Sequence, residues 1–486
     1  MPFPKTVLND SVWSLANSVA TILKPFALVY LINNYLGTEA YGQIAVFLSS
    51  ITLVSLFSSL GLGFSMRRHL SGDADINEKK RLFYLPINFQ IILLLVYFLV
   101  AYYYVSFDTS KISFTELGIY SFYYLSYILF QYFLEYRRWI LNAKKFVTLS
   151  AIYAIVFLST LFAAFQFDFV QNVYQILIVD ALIMFVIFLY LFRTVYKELG
   201  VSFGTFDRKG FFKEFKLGMP YALGGLSEIT VATSDRFMIV YFFGLAEAGL
   251  YSSGYLFGSL SLIVVRLIGL FTPQYMFLAR DSGDQSAVNN LINYSFFAFF
   301  AISIPYVFFL ILFGSEILSL VNISSDQALF SMIVISIASI LSGSYLMLST
   351  VTIMEKKTAV QMKIMLAFSL FNVLANYMFI KLFNSFAVAS VVTLVTYILI
   401  VSVFIRYLKN IWSFDFPAKL ILIPLLLALI SYGCVSVFEF IYSSPSSSVG
   451  FVVFEVILFL SLYLLGLVIF LVYLKIIPSR MIFRFK

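Results

Sequence analysis

Tyr35-Leu-Gly37-Thr-Glu39-Ala-Tyr-Gly42 is echoed by Phe243-Gly244-Leu-Ala-Glu247-Ala-Gly249-Leu-Tyr251, with the paired glycines five residues apart in each copy and the copies offset by 207 residues. Each copy lies between two long apolar runs. Crossing a hydrocarbon core of ~30 Å takes about 20 apolar residues, and runs broken at charges give about fourteen such spans, from Val12–Ile32 to Gly450–Leu474. Dense Leu, Ile, Phe and Val over that length suit helices rather than the alternating strands of a barrel. The two copies fall between spans 1 and 2 and between spans 7 and 8. An even number of spans separates them, so the repeat is parallel, about an axis along the membrane normal. The chain therefore reads as an all-α polytopic membrane protein of about fourteen transmembrane helices. Two six-helix lobes, residues 1–206 and 207–418, surround a central cavity, and residues 419–486 add two C-terminal helices and a cytoplasmic tail.

Composition agrees. The chain has 486 residues, 62% hydrophobic and 12% charged, against roughly 25% charged in soluble domains. The first apolar run lacks a basic leader beyond Lys5 and a small-residue cleavage site, which predicts a retained helix. Cys434 is the only cysteine and can form no intramolecular disulfide. Of 32 basic residues, 26 fall in the loops on one side of this map and two, Lys111 and Lys381, on the other. By the positive-inside rule both termini are then cytoplasmic. Topology thus accounts for the net charge of +8 and removes the case for nucleic acid. His69 reads as a solvated loop residue, no His, Cys, Asp and Glu cluster has metal-ligand spacing, and no nucleotide-binding loop occurs. The longest connection on the outer side, Gly314 to Ala328, is too short for an extramembrane domain.

The approach to span 2, Leu36-Gly37-Thr38-Glu39-Ala40-Tyr41-Gly42, and its end, Leu60-Gly61-Leu62-Gly63-Phe64-Ser65-Met66-Arg67-Arg68, resemble the opening of polysaccharide-type flippases of the multidrug/oligosaccharidyl-lipid/polysaccharide superfamily. Thr233-Ser234-Asp235-Arg236-Phe237, followed by Gly244 and Ala248-Gly249-Leu250-Tyr251-Ser252, resembles that family's second-lobe signature. Within the family the chain is most similar to Wzx-type translocases of O-antigen or capsule repeat units. The resemblance implies an inner-membrane flippase, not an enzyme. It would move an undecaprenyl-diphosphate-linked oligosaccharide between leaflets by alternating access, among membrane lipids and other glycan-assembly proteins.

Ionisable residues inside spans are costly and should face a cavity or a partner. In span 1, Asn17, Thr21 and Lys24 form one polar stripe, and Pro25 should bend the helix by removing a backbone donor. In span 7, Gly224, Glu228 and Asp235 form the counterpart, with Arg236 beside Asp235 as a gating or packing residue. Arg266 lies deep in span 8. Lys24 and Arg266, one from each lobe, are the candidate cations for a diphosphate, which cannot enter hydrocarbon uncompensated. For Lys24 the competing reading is a plain ion pair with a carboxylate, and Asp180 in span 6 has no assignable role. Asn372, Asn376, Thr393 and Thr396 join Glu228 and Asp235 as a candidate coupling site, similar to cation sites of the superfamily. Amides stand where a carboxylate might be wanted, which counts against Na⁺ or H⁺ coupling without excluding it, and no other cofactor is expected. Lys363 reads as snorkelling to the interface. Tyr124 and Tyr127, in a tyrosine-rich span 4, are candidates for stacking on sugars, against generic packing. Two other classes compete with a flippase: a cation-coupled drug or solute exporter of the same superfamily, against which the two cations tilt, and a membrane-embedded glycan polymerase or ligase, which would need a large outer loop.

Overall fold

The computed structural model describes residues 24–59, 80, 83–95, 98, 113–139, 143–200, 208–269, 272–355, 357–412, 419–442 and 449–473. Asn17, Thr21, His69 and the Leu60–Arg68 block lie outside the described residues. Among those described, the regular structure is helical throughout. The first half comprises α1 (24–35), α2 (Thr38–Ser59), α3 (Phe83–Leu95), α4 (Phe114–Trp139), α5 (Ala143–Gln166) and α6 (Val173–Leu199). The second comprises α7 (Arg208–Phe243), α8 (Leu245–Gly258), a 3₁₀ turn (Ser259–Ser261), α9 (Leu262–Gly269), α10 (Thr272–Asp281), α11 (Gln285–Leu320), α12 (Asp326–Met354), α13 (Thr358–Phe383) and α14 (Val388–Leu408). Two more helices, α15 (Lys419–Tyr442) and α16 (Val449–Tyr473), close the chain.

Ten helices among the described residues are long and apolar enough to cross a membrane, and the chain is a multi-pass membrane protein. Four expected spans lie outside that set. Two, α1 and α3, are described in part. The other two, α4 and α7, carry the polar side chains that the interior uses. On α7, Ser227, Thr230 and Thr233 return their hydroxyl protons to carbonyls four residues earlier, at 2.8, 2.8 and 2.7 Å. A hydroxyl in hydrocarbon is thereby satisfied without a partner helix.

The structure departs from the sequence reading in three places. The connection read as a loop from Arg193 to Lys216 is largely helical, because α6 runs on to Leu199 and α7 starts at Arg208. Residues 208–216 mix Arg and Lys with phenylalanines, a composition that suits a helix in the headgroup layer, and Phe211 packs on Phe89 of α3 with ring centroids 5.4 Å apart. Span 8 is broken by the 3₁₀ turn, where the small residues Gly258 and Ser259 tolerate a change of helical pitch. The third is α10, too short and too polar to register as a span. Pro25 lies at the edge of the described chain, so the bend expected there falls on its boundary.

The repeat noticed in the sequence becomes a reciprocal contact between the halves. Gly37 and Gly244 both carry positive φ, 88° and 106°, a conformation glycine adopts at no steric cost, and they start α2 and α8. A Cβ on Gly42 would collide with the Leu245 carbonyl, and one on Gly249 would collide with the Thr38 carbonyl. Adding the repeat offset to Thr38 and Gly42 gives Leu245 and Gly249, so each copy makes on the other the contact the other makes on it. Such self-complementarity is the mark of a twofold axis. Asn33 donates to Ser253 (3.2 Å), and Asn34 meets the Leu320 carbonyl (3.4 Å) and Asn322 (2.5 Å), joining the halves at the same end.

Within the second half, Gly254 and Gly258 let α8 lie against the Ala328 and Met332 carbonyls of α12, the close approach that small residues four apart allow in membranes. The C-terminal pair packs on α11: Val435 and Phe459 bury against Phe313, and the Tyr463 hydroxyl donates to the Ala301 carbonyl at 2.7 Å.

If the glycine crossing holds the halves together, Gly249→Val should lower the thermal unfolding midpoint in detergent. Gly118→Val, where a Cβ meets nothing within 4 Å, should leave it nearly unchanged. Equal midpoints for the two variants would contradict the crossing.

Candidate functional site

Lys24 in the first span is answered by a carboxylate within the same half. Lys24 Nζ lies 3.0 and 3.1 Å from the two oxygens of Asp180 on α6, so the plain ion pair is the arrangement present. Asp180 also accepts the Tyr123 hydroxyl of α4 on Oδ2 (2.9 Å) and the Tyr153 hydroxyl of α5 on Oδ1 (2.6 Å). Lys24 Nζ donates to the Tyr153 hydroxyl as well, and it stands 4.3 Å from the ring centres of both Tyr153 and Phe157. Three helices thus close around one lysine from a fourth. The lysine side chain is 20% exposed and the aspartate side chain 6%, so the lysine is the more accessible member of the pair.

Sequence reasoning named Lys24 and missed Asp180 as its partner. A signal was present: Asp180 lies seven residues in from Val173 at the start of span 6, and Lys24 lies eight in from Ile32 at the end of span 1. On the alternating map those ends are on one side, so the two charges share a depth. Tyr123 and Tyr153 carried no comparable signal.

In the second half Arg266 is exposed and Glu228 half-buried, and the guanidinium acts electrostatically on the Glu228 carboxylate. Tyr345 and Tyr397 lie in the same carboxylate's field. Gln361 donates to the Tyr345 hydroxyl (3.1 Å) and accepts from Thr352 (2.9 Å).

Of the candidate coupling residues, Asn372, Asn376 and Thr396 are joined by hydrogen bonds, with Ser234, where α7, α13 and α14 meet. Ser234 donates to Asn372 Oδ1 (3.3 Å), Asn372 donates to Thr396 (3.0 Å), and Asn376 donates to Asn372 (3.1 Å). Asp235 accepts the Tyr251 hydroxyl at 2.5 Å and the Arg236 backbone N–H at 2.8 Å. Asp235, Asn372, Asn376, Thr393 and Thr396 are all buried. Two acceptors in the group, Asn376 Oδ1 and Thr393 Oγ1, are buried without a hydrogen-bond partner, a costly state that a bound cation would relieve. Asp235 follows Ser234 on α7, and carboxylate, amide and hydroxyl oxygens are the donors that hard cations take. Glu228, seven residues earlier on α7, belongs instead with Arg266.

Arg236 turns its guanidinium away from Asp235. It donates to the Ala232 carbonyl (3.0 Å) and to Ser49 of α2 (3.4 Å), and it stacks over Tyr255 at 4.6 Å. It thereby links α7 of the second half to α2 of the first. Tyr124 is buried in the core of the first half, with Tyr127 partly buried against it, so these rings pack helices instead of offering faces to a sugar. The tyrosines of α4 serve the lobe interior, Tyr123 through Asp180 and Tyr120 against Phe47 at 4.6 Å.

The model of the family described as "Polysaccharide biosynthesis protein" matches residues 7–272. Among solved structures, the lipid II flippase MurJ in an inward closed conformation is similar over 96% of this chain and 100% of that one, with a TM-score of 0.72 and 16% identity. A multidrug resistance MATE family transporter in an inward-facing conformation is similar over 82% and 97%, with a TM-score of 0.62 and 13% identity. The MATE multidrug transporter DinF-BH is similar over 84% and 96%, at 0.59 and 14%. No curated protein sequence matches. The shared property at these identities is the fold, one that flippases and drug transporters both use.

If Asp235, Asn372, Asn376 and Thr393 bind Na⁺, sodium chloride in place of choline chloride should raise the unfolding midpoint of the purified protein. Asp235→Asn should remove that increment. An increment that survives in Asp235→Asn would retire the site.

Proposed function

We propose that this chain, which belongs to the polysaccharide biosynthesis protein family, is a flippase of glycan assembly. It carries an undecaprenyl-diphosphate-linked oligosaccharide repeat unit, of the O-antigen or capsule kind, from the inner to the outer leaflet by alternating access. The observation that carries this reading is a basic residue partly or fully open in each half, Lys24 and Arg266, in a fold shared with a lipid II flippase. A diphosphate entering hydrocarbon needs compensation by cations whatever sugar it bears, and phosphate takes a forked pair of bonds from Arg and a point charge from Lys.

The cytoplasmic membrane is the site of action, with both termini cytoplasmic, and other glycan-assembly membrane proteins are the partners. The halves divide at residues 206/207, with the appended helices beginning at 419. Na⁺ at the Asp235 site supports the energetics, since no described element offers a nucleotide site. The drug-exporter reading draws on the likeness to MATE transporters. An apolar or cationic drug gains nothing from two basic residues, which is why the lipid diphosphate is preferred.

Lys24→Met and Arg266→Met, inserted at wild-type level, should each cut surface glycan export by about tenfold or more, the scale of one lost charge-assisted hydrogen bond. Precursor should collect in the inner leaflet. Wild-type export by both variants would remove the cationic mechanism, and drug efflux that persists without glycan export would favour the exporter.

A further inference from the structure

We propose that Asp180 is a positioning residue that releases Lys24 to the substrate diphosphate and reclaims it when the diphosphate leaves. This deepens the reading above and rests on it. Nothing in that reading requires a carboxylate at this place, and a cationic cavity alone would work better without one at the binding step.

The geometry carries the argument. The Lys24 side chain is the more exposed member of the pair, at 20% against 6%, so Lys24 is the member an arriving phosphate reaches more readily. Asp180 sits behind it, and its two oxygens are served separately: Oδ1 by Tyr153 at 2.6 Å and Oδ2 by Tyr123 at 2.9 Å. When Lys24 swings to the phosphate, each carboxylate oxygen keeps one hydroxyl donor. A buried carboxylate stripped of its only partner is heavily penalised, and two retained donors reduce that penalty. The rings of Tyr153 and Phe157, 4.3 Å from Nζ, give the ammonium an apolar floor it can occupy in either arrangement. A pair meant only to neutralise a lysine needs none of this second set of donors.

The exchange accounts for turnover. A cation that grips diphosphate tightly binds substrate well and releases it slowly. Asp180 competes for the same ammonium and repels the phosphate, so it weakens binding and speeds departure, an interaction spent on release rather than on affinity.

The probe is farnesyl diphosphate, with farnesyl monophosphate and farnesol as controls, titrated into the full-length protein in detergent beside export measured in cells. Wild type should prefer the diphosphate. Asp180→Asn should bind it several-fold more tightly and yet export glycan more slowly. Tyr123→Phe removes one donor and leaves the carboxylate more dependent on Lys24, so it should bind the probe more weakly. That variant keeps the test decisive where Asp180→Asn does not fold. Opposite shifts in the two variants support the exchange. Unchanged or weaker binding in Asp180→Asn, or unchanged binding in Tyr123→Phe, overturns it while leaving the flippase reading standing. A wild type that prefers farnesol or treats all three alike overturns the diphosphate reading itself, and the exchange with it.

Discussion

A charge placed inside hydrocarbon has to be answered by another charge or by oriented polar groups, and the rest of this structure is arranged around that requirement. Lys24 reaches Asp180 across 156 residues of sequence, and satisfying the pair draws α1, α4, α5 and α6 together. The lone lysine therefore organises the first half as much as its aromatic core does. An unanswered charge at mid-bilayer costs at least ~2.5–3.5 kcal/mol on insertion scales.

The second half meets the same constraint with different chemistry. Counted within each half, the lysine site uses the first, fifth and sixth spans together with Tyr123 of the fourth. The candidate cation site uses the corresponding first, fifth and sixth spans through Asp235, Asn372 and Asn376, and Thr393 and Thr396. In the first half the cation is tethered as Lys24. In the second the group includes two buried acceptors without a hydrogen-bond partner, Asn376 Oδ1 and Thr393 Oγ1. The axis that relates the halves passes by the crossing of Gly42 and Gly249, where neither copy of the motif tolerates a Cβ.

Much of this was legible in the sequence, because the bilayer imposes a length and a charge asymmetry that survive in one dimension. The apolar runs and the parallel repeat followed from Gly37, Gly42, Gly244 and Gly249, and the structure adds that the two copies touch. Helical extensions beyond the hydrocarbon were not legible, since the stretch from Arg208 to Lys216 looks like a polar loop once hydropathy is the criterion. Nor was the break at Ser259, because a 3₁₀ turn leaves apolar composition unchanged. In the site, residue types were readable and partners were not: Asp180 shared a depth with Lys24, but nothing in the sequence said which face of α6 it occupied. For the tyrosines of α4 the sequence offered packing and sugar stacking side by side, because a ring that packs a lobe and a ring that stacks on a sugar have the same side chain.

The most direct test reconstitutes the purified protein in liposomes carrying a fluorescent polyprenyl-diphosphate-linked oligosaccharide and follows its appearance in the opposite leaflet by chemical quenching. The account predicts protein-dependent movement of the diphosphate-linked lipid that is lost in Lys24→Met and absent for the matching neutral lipid alcohol. Movement no faster than in protein-free liposomes, or equal for the charged and neutral lipids, would contradict it.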